Sequence, residues 1–415
     1  MDSAKALEAE SGAPQRKRFA SVFFHRSSVH SELALVKYVR QARPEWDLQI
    51  VTAPNHVKTS EEFIERWKLE RTQVHAMPVV RLPGFAAHAI GCYLRPFAPW
   101  PIPDPQPDYV FAWLQPFVPH AWQLAARVRH WKSDPVLTFT LEQNIRLSME
   151  GVWRFFGRGA YRRCDWCAAL GPEHRDVGRL AGYQGPVEYG LLGYDPDLLG
   201  PDAEAGREAR GELGIEDFLI LYVGGVERSK GVFTLLEAFR RLRKEGVKAT
   251  LLLLGDGRDY NALSVRAREM GLARDVLLPG KVPHARLRGY LNAADVMVVP
   301  SELRQESNDR PWLRIPWKEQ FGRVVVEGMA CGCPVVGSDS GEIPRLIGRE
   351  DMIFQSERPD ELYATLRRLQ ASPELRQEVG AYNLERVQRY RLDNIARAIC
   401  DNMEKYEALK SASTG

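Results

Sequence analysis

The 415-residue sequence has no disulfide framework: six cysteines in a chain this long are too sparse to staple a fold. Cys164-Asp-Trp-Cys167 has the spacing of half a metal site, but no second Cys or Cys/His pair completes it. Buried or half-buried thiols are the plainer reading. Elsewhere no His, Cys and acid set has metal-ligand spacing. Asp195-Pro-Asp197 spells an acid pair, yet the Gly and Pro around it mark a turn. No run approaches the roughly 18–20 apolar residues that span a bilayer. Residues 1–18 end on Arg16-Lys17-Arg18 with no apolar core behind them, so a disordered leader is expected rather than a signal peptide, and the expected location is the cytoplasm. A dominant charge is lacking too. The 57 basic and 54 acidic residues leave a net +3, which gives no warrant for nucleic-acid binding. The string G-x-x-x-x-G-K-[ST] is absent, so there is no Walker loop.

What is present is a chain long enough for two cores, with 44% hydrophobic and 27% charged residues, typical of globular domains. Phe19–Phe24 reads as a strand, Ser31–Gln41 as a helix and Asp47–Val51 as a strand. This βαβ rhythm predicts a parallel sheet with helices on its faces. Pro83–Pro119 is crowded with Pro and aromatic residues around one strand at Tyr109–Trp113. The rings from Phe85 to Trp122 read either as core or as a surface that stacks on sugars or a lipid tail. A strand at Val136–Thr140 leads into the polar Glu142-Gln-Asn144. Trp153–Arg163 reads as an aromatic, basic helix, either solvated or in peripheral contact with a membrane surface.

Gly193–Pro201 and the charged Asp202–Gly211 mark the domain boundary, dividing residues 19–197 from 198–389. The second half is regular. Strands are expected at Phe218–Val223, Ala249–Leu254, Val276–Leu278, Val296–Val299 and Pro334–Val336. Helices are expected at Val232–Lys244, Tyr260–Met270, Leu287–Ala293 and from Gly322. Gly or Pro recurs where the strands end, which is the ligand edge of an open α/β sheet. A charged helix from Asn394 to Lys410 closes the chain, and residues 390–415 are expected to cross back onto the first domain.

Three constellations can carry chemistry. Glu319 and Glu327 stand with seven residues between them, the second inside the apolar Val-Val-Val-Glu-Gly-Met-Ala. A helix starting near Gly322 would present free N–H groups and its positive end to an anion. A core helix with one salt-bridged Glu remains the other reading. Gly224-Gly225-Val-Glu-Arg228-Ser-Lys230-Gly231 joins a strand to a helix and puts a lysine at a helix start. A bound anion would explain the lysine there, and a solvated turn is the alternative. Ser338-Asp-Ser-Gly341-Glu342 follows a strand and offers further backbone N–H groups, or a capped turn. His25 and His120 are candidates on the acceptor side.

Taken together, these motifs resemble the retaining GT-B glycosyltransferases called group 1, or family four. The likeness runs from about Phe218 to Ile347. It includes Val223-Gly-Gly with Lys230-Gly231, Leu254-Gly-Asp-Gly257, Leu278-Pro-Gly-Lys-Val282, Ala294-Asp-Val-Met-Val-Val-Pro-Ser301, the E-x7-E pair and Met329-Ala-Cys-Gly-Cys-Pro-Val-Val336. Gly193-Tyr-Asp195 looks like the family's G-x-D hinge. The resemblance implies two doubly wound Rossmann-like domains facing across a cleft. It implies transfer of a hexose from a UDP- or GDP-linked sugar to a hydroxyl of a sugar, lipid-linked or small-molecule acceptor, with no metal or other cofactor. Glu319 would face the donor sugar. Phe321, Gly322, Arg323 and Val324 would offer N–H groups to sugar and diphosphate, with Gly224 and Gly225 lining the phosphate loop. Glu327 would bind the ribose, Lys230 the diphosphate, and the backbone near Val282 the base.

Three departures stand out. Gly225 occupies the family's usual Arg position, so Arg228 is the candidate to supply that charge. Thr140 stands where the family commonly has His. An insertion, Glu302–Lys318, brings Trp312 and Trp317 toward the acceptor side. A non-catalytic nucleotide-sugar binder and an epimerase on the same fold stay open as alternatives.

Overall fold

The computed structural model describes residues 17–23, 29–77, 79–81, 92–94, 106–116, 118–145, 150–307 and 314–414. His25 and Trp312, and the expected leader up to residue 16, lie outside this set.

The first domain begins with β1 (Arg18–Phe23), α1 (Val29–Ala42), β2 (Asp47–Thr52), α2 (Val57–Trp67) and β3 (Thr72–Ala76). A small antiparallel pair, β4 (Val79–Arg81) and β5 (Cys92–Leu94), follows. Then come β6 (Tyr109–Ala112), α3 (Pro119–Val128), β7 (Val136–Leu141), α4 (Glu150–Tyr161), β8 (Trp166–Ala169), α5 (Pro172–Leu180) and β9 (Val187–Tyr189). Seven of its strands form one parallel sheet in the order β3-β2-β1-β6-β7-β8-β9. Arg18 is a correction to the expected leader: its N–H donates to Asp108 Oδ2 at 2.8 Å, which makes it the first residue of β1.

The second domain comprises α6 (Ala203–Leu213), β10 (Phe218–Val223), α7 (Val232–Lys244), β11 (Ala249–Leu254), α8 (Tyr260–Glu269), β12 (Val276–Gly280), α9 (Leu287–Ala293), β13 (Val296–Val299), the ribbon β14 (Arg304–Ser307) and β15 (Arg314–Trp317), α10 (Arg323–Ala330), β16 (Val335–Ser338), α11 (Ile343–Ile347), β17 (Ile353–Phe354), α12 (Pro359–Ala371) and α13 (Pro373–Arg386). Six strands pair in parallel in the order β12-β11-β10-β13-β16-β17. Strands covered on both faces must be apolar throughout, and Leu219, Ile220 and Leu221 in β10 are fully buried. The two parallel sheets give the doubly wound pair of Rossmann-like domains expected of a GT-B architecture.

The charged segment after Asp202, read as part of the domain boundary, is helical. Asp202 caps α6 by accepting from Ala205 N at 3.0 Å. The helix fits closely against α9, where a Cβ on Gly206 would come within 2.6 Å of Asn292 O. Gly289 of α9 in turn lies against Ala205 and Ala209.

The last helix, α14 (Leu392–Thr414), packs on the first domain. Arg43 at the end of α1 pairs with Asp401 and Glu404, Tyr109 donates to Glu407 at 2.7 Å, and Trp166 stacks on Tyr406. The outgoing and returning chains touch: Tyr194 N donates to Tyr390 O at 3.0 Å and Leu392 N to Tyr194 O at 3.1 Å. Asp195 beside them binds Lys37 Nζ at 3.0 Å and accepts from Tyr38, while Asp197 reaches the same lysine at 2.8 Å. Lys37 is only 1% exposed and lies 3.9 Å from the Trp67 ring. The acid pair thus neutralises a buried cation at the hinge.

Candidate active site

In the second sheet the chain order reverses between β10 and β13, so the crevice beyond their carboxyl ends is the place for a ligand. Lys230 follows β10, and Ser301 and Glu319 follow β13. Gly231 lets these two connections meet. Its φ is +70°, and a Cβ there would lie 1.8 Å from Pro300 O, so only glycine fits.

The result is a compact polar cluster. Lys230 Nζ stands 2.8 Å from Glu319 Oε2, and Ser301 Oγ donates to the same oxygen at 2.8 Å. The Trp317 ring, at the end of β15, lies 4.5 Å from Lys230 Nζ, within cation–π range. Glu319 N donates to Ser340 Oγ at 3.2 Å. Beneath the cluster, Tyr222 donates to Gly225 O at 2.6 Å. Burial and the nearby Glu319 charge push the Tyr222 phenol well above its usual range, so it stays a neutral donor.

Gly341 locks the far side. At φ +57° it passes so close to Glu319 that a Cβ would sit 1.9 Å from its carbonyl oxygen. The Ser338–Glu342 turn therefore holds the Glu319 backbone directly.

Three residues beyond Glu319, Gly322 is the N-cap of α10, and no side chain caps that helix start. An uncapped helix start offers N–H groups and a positive dipole end to an anion, and a Cβ on Gly322 would lie 3.3 Å from the Glu319 side chain. Phe321 is buried against Tyr390, with ring centroids 6.1 Å apart; Arg323 is exposed and Val324 half-buried. Glu327 is 5% exposed and is met by Arg323 Nε at 3.3 Å and His284 Nε2 at 3.6 Å. His284 lies two positions after the half-buried Val282, so the second acid and the β12 edge are adjacent. The helix carboxylate is therefore partnered, as burial requires.

Arg228 goes elsewhere. Its backbone N–H donates to Asp259 Oδ2 at 2.9 Å, and its guanidinium lies 4.5 Å from the Phe233 ring, in a groove of about 500 Å³ between α7 and α8. The charge that meets Glu319 is that of Lys230. His120 is fully buried at the first turn of α3 and presents no edge to an acceptor, which corrects its candidacy.

The first domain closes over this cluster through contacts that the sequence did not reveal. Asn144 Nδ2 donates to Glu319 O at 2.8 Å, Gln320 to Gln143 at 3.1 Å, and Lys318 pairs with Glu173 at 2.7 Å. Arg345 donates to Leu170 O at 2.7 Å. The Glu342 carboxylate lies over Gly171 at the start of α5, bonded to Arg345 and 3.6 Å from His174 Nδ1. Burial works to raise the Glu342 carboxyl, but His174 and Arg345 outweigh it and leave it below its ordinary value.

Residues 207–386 match the family model described as glycosyl transferases group 1. A D-inositol 3-phosphate glycosyltransferase of Corynebacterium jeikeium is 29% identical over 202 residues, covering 46% of this chain and 45% of that protein. A GDP-mannose-dependent alpha-(1-6)-phosphatidylinositol monomannoside mannosyltransferase of Mycolicibacterium smegmatis is 27% identical over 188 residues, covering 45% of this chain and 44% of that protein. The matches span about half the length of these curated relatives. Among solved structures, Anabaena HepE in complex with UDP superposes with a TM-score of 0.70 at 16% identity, covering 94% of this chain and 100% of that one. Sucrose-phosphate synthase from Thermosynechococcus elongatus superposes at 0.65 with 18% identity, covering 96% and 100%. At these identities the likeness speaks for the fold.

Proposed function

We propose, from the match of residues 207–386 to the glycosyl transferases group 1 model and from a fold shared with GT-B structures, that the chain moves a hexose from a nucleotide diphosphate sugar to an acceptor hydroxyl, with retention at the anomeric carbon. The observation that carries this reading is the meeting of Lys230 and Glu319 beside the uncapped start of α10.

The chemistry follows from the charges. As the glycosidic bond breaks, the sugar carbon gains positive character and the diphosphate gains negative character. Lys230 and the α10 N–H groups stabilise the leaving diphosphate, a preorganised electrostatic site. Those groups do the work a metal ion does in other transferases, so turnover without added metal is part of the proposal. Glu319, held by Ser301 and Lys230, faces the sugar hydroxyls, and Glu327 takes the ribose. The leaving phosphate oxygen accepts the acceptor's proton on the face it departs from, which leaves the anomeric configuration unchanged. Closure of the first domain over Glu319 excludes water and favours transfer over hydrolysis.

A lipid-linked acceptor is compatible with the first domain's surface. Trp122 is 44% exposed and Phe155 75%, with exposed Arg158 and Arg162 on and after α4. Among the described residues no helix is long and apolar enough to cross a membrane.

The direct test is release of UDP or GDP from a panel of nucleotide sugars, with chelator present and with sugar, polyol and lipid acceptors. Acceptor-dependent release supports the proposal. Conversion of the donor sugar with no release indicates an epimerase, and binding without turnover indicates a non-catalytic module.

A further inference from the structure

The first-domain wall of the cleft carries a carboxylate that the reading above does not use. Glu142 follows β7, and Thr140 at the end of that strand donates its hydroxyl to Glu142 Oε1 at 2.8 Å. The Glu142 N–H donates to Gln115 Oε1 at 3.4 Å, so the segment is tied to the β6–α3 connection as well. His174, fully buried on α5, is the other titratable side chain acting on it. Burial raises the Glu142 carboxyl above its ordinary value, and Thr140 and His174 offset only part of that. No lysine or arginine among the described residues pairs with it.

A carboxylate set into a wall without a cation is a poor stabilising device. Its position suggests a different use. Asn144, two residues on, donates to the carbonyl of Glu319 itself, and Gln143 accepts from Gln320. The segment carrying Glu142 is thus docked on the residue at the donor-sugar end of the site, from the opposite domain.

We propose that Glu142 accepts a hydrogen bond from an acceptor hydroxyl and positions the acceptor against the donor sugar at Glu319. This rests on the glycosyltransferase reading and narrows it: the group met here is an uncharged hydroxyl of a polyol or sugar, since no lysine or arginine among the described residues stands beside Glu142 to hold a phosphate. Glu142 is a positioning residue, oriented by Thr140.

The test compares the wild type with E142Q and E142A, using myo-inositol, glycerol and n-octyl glucoside as probe acceptors. The expected result is a rise of at least about 10-fold in the probe acceptor's KM, the scale of leaving one buried hydrogen-bonding group unsatisfied. The donor KM and the UDP- or GDP-induced rise in melting temperature should change little, and E142Q should be less impaired than E142A. Unchanged acceptor KM in both variants overturns the proposal. So does a parallel loss of nucleotide binding, which would make Glu142 structural, and so does a wild type that turns over donor without transfer to any of the three probes. A wild type that binds and turns over no nucleotide sugar removes the underlying reading itself, a distinguishable result.

Discussion

Lys230 Nζ and Glu319 Oε2 meet at 2.8 Å although 89 residues separate them. The pair forms because Gly231 nests against Pro300 and Gly341 against Glu319, drawing the ends of β10 and β13 together. A lysine and a carboxylate that balance each other in the free protein are poised to separate their tasks. In the proposed reaction the lysine turns to the diphosphate, and the acid to the sugar.

Removal of either group should therefore be costly. Lys230→Ala or Glu319→Ala is expected to lower kcat by at least about 100-fold, the scale of losing one preorganised charge in an active site. Initial rates of UDP or GDP release measure this. Near-normal turnover in both variants would rule out these roles.

Glu327 should act on affinity rather than on chemistry. Its neighbours Arg323 and His284 hold it in place, and the proposed reading puts the nucleoside beside it. Wild-type protein is expected to bind a 2′,3′-dideoxy nucleoside diphosphate about 10-fold more weakly than the ribo form, as for a lost hydrogen bond to a charged group. Glu327→Ala should show no such preference in calorimetric titration. A preference that survives in the variant would place the ribose elsewhere.

Gly341 carries a geometric prediction. Gly341→Ala adds a methyl 1.9 Å from Glu319 O at φ +57°, and strain plus overpacking should cost at least about 2 kcal/mol. Urea melts should show that loss, and activity should fall at least about 10-fold as Glu319 shifts. Gly211→Ala, where nothing lies within 4 Å of the added carbon, serves as the control and should leave stability the same or slightly higher. Equal behaviour of the two variants would remove the argument that close approach at Gly341 sets Glu319.

Acid should loosen the closed cleft. Glu342 has a folded-state pKa below its ordinary 4.5, because His174 and Arg345 outweigh its burial. A lowered carboxyl contributes stability above the unfolded pKa, and that contribution fades as pH falls through the folded value. The stability gap between wild type and Glu342→Gln should thus be full at pH 7 and shrink below about pH 4.5. A gap independent of pH would show that Glu342 acts by shape alone.

Much of the second domain could be read from its residues. The strands Phe218–Val223, Ala249–Leu254 and Val296–Val299 have the expected bounds, because strands buried on both faces are uninterrupted apolar runs that end at Gly or Pro. The helix Ala203–Leu213 was hidden by its charge, since its packing relies on Gly206 and on capping. Arg228 stands two residues from Lys230, yet a single tight turn puts it beside Asp259 and Phe233. The pairing of Lys37 with Asp195 and the bond from Asn144 to Glu319 join segments 158 and 175 residues apart. Nothing local in either segment announces its partner.

Calorimetric titration of UDP and GDP against uridine and guanosine bears most directly on the diphosphate cradle. One diphosphate is expected to bind at least about 10-fold more tightly than its nucleoside, the scale of a charge-assisted phosphate contact, and Lys230→Ala should abolish the difference. Equal affinity for nucleoside and diphosphate in the wild type, or a difference untouched by Lys230→Ala, would contradict it.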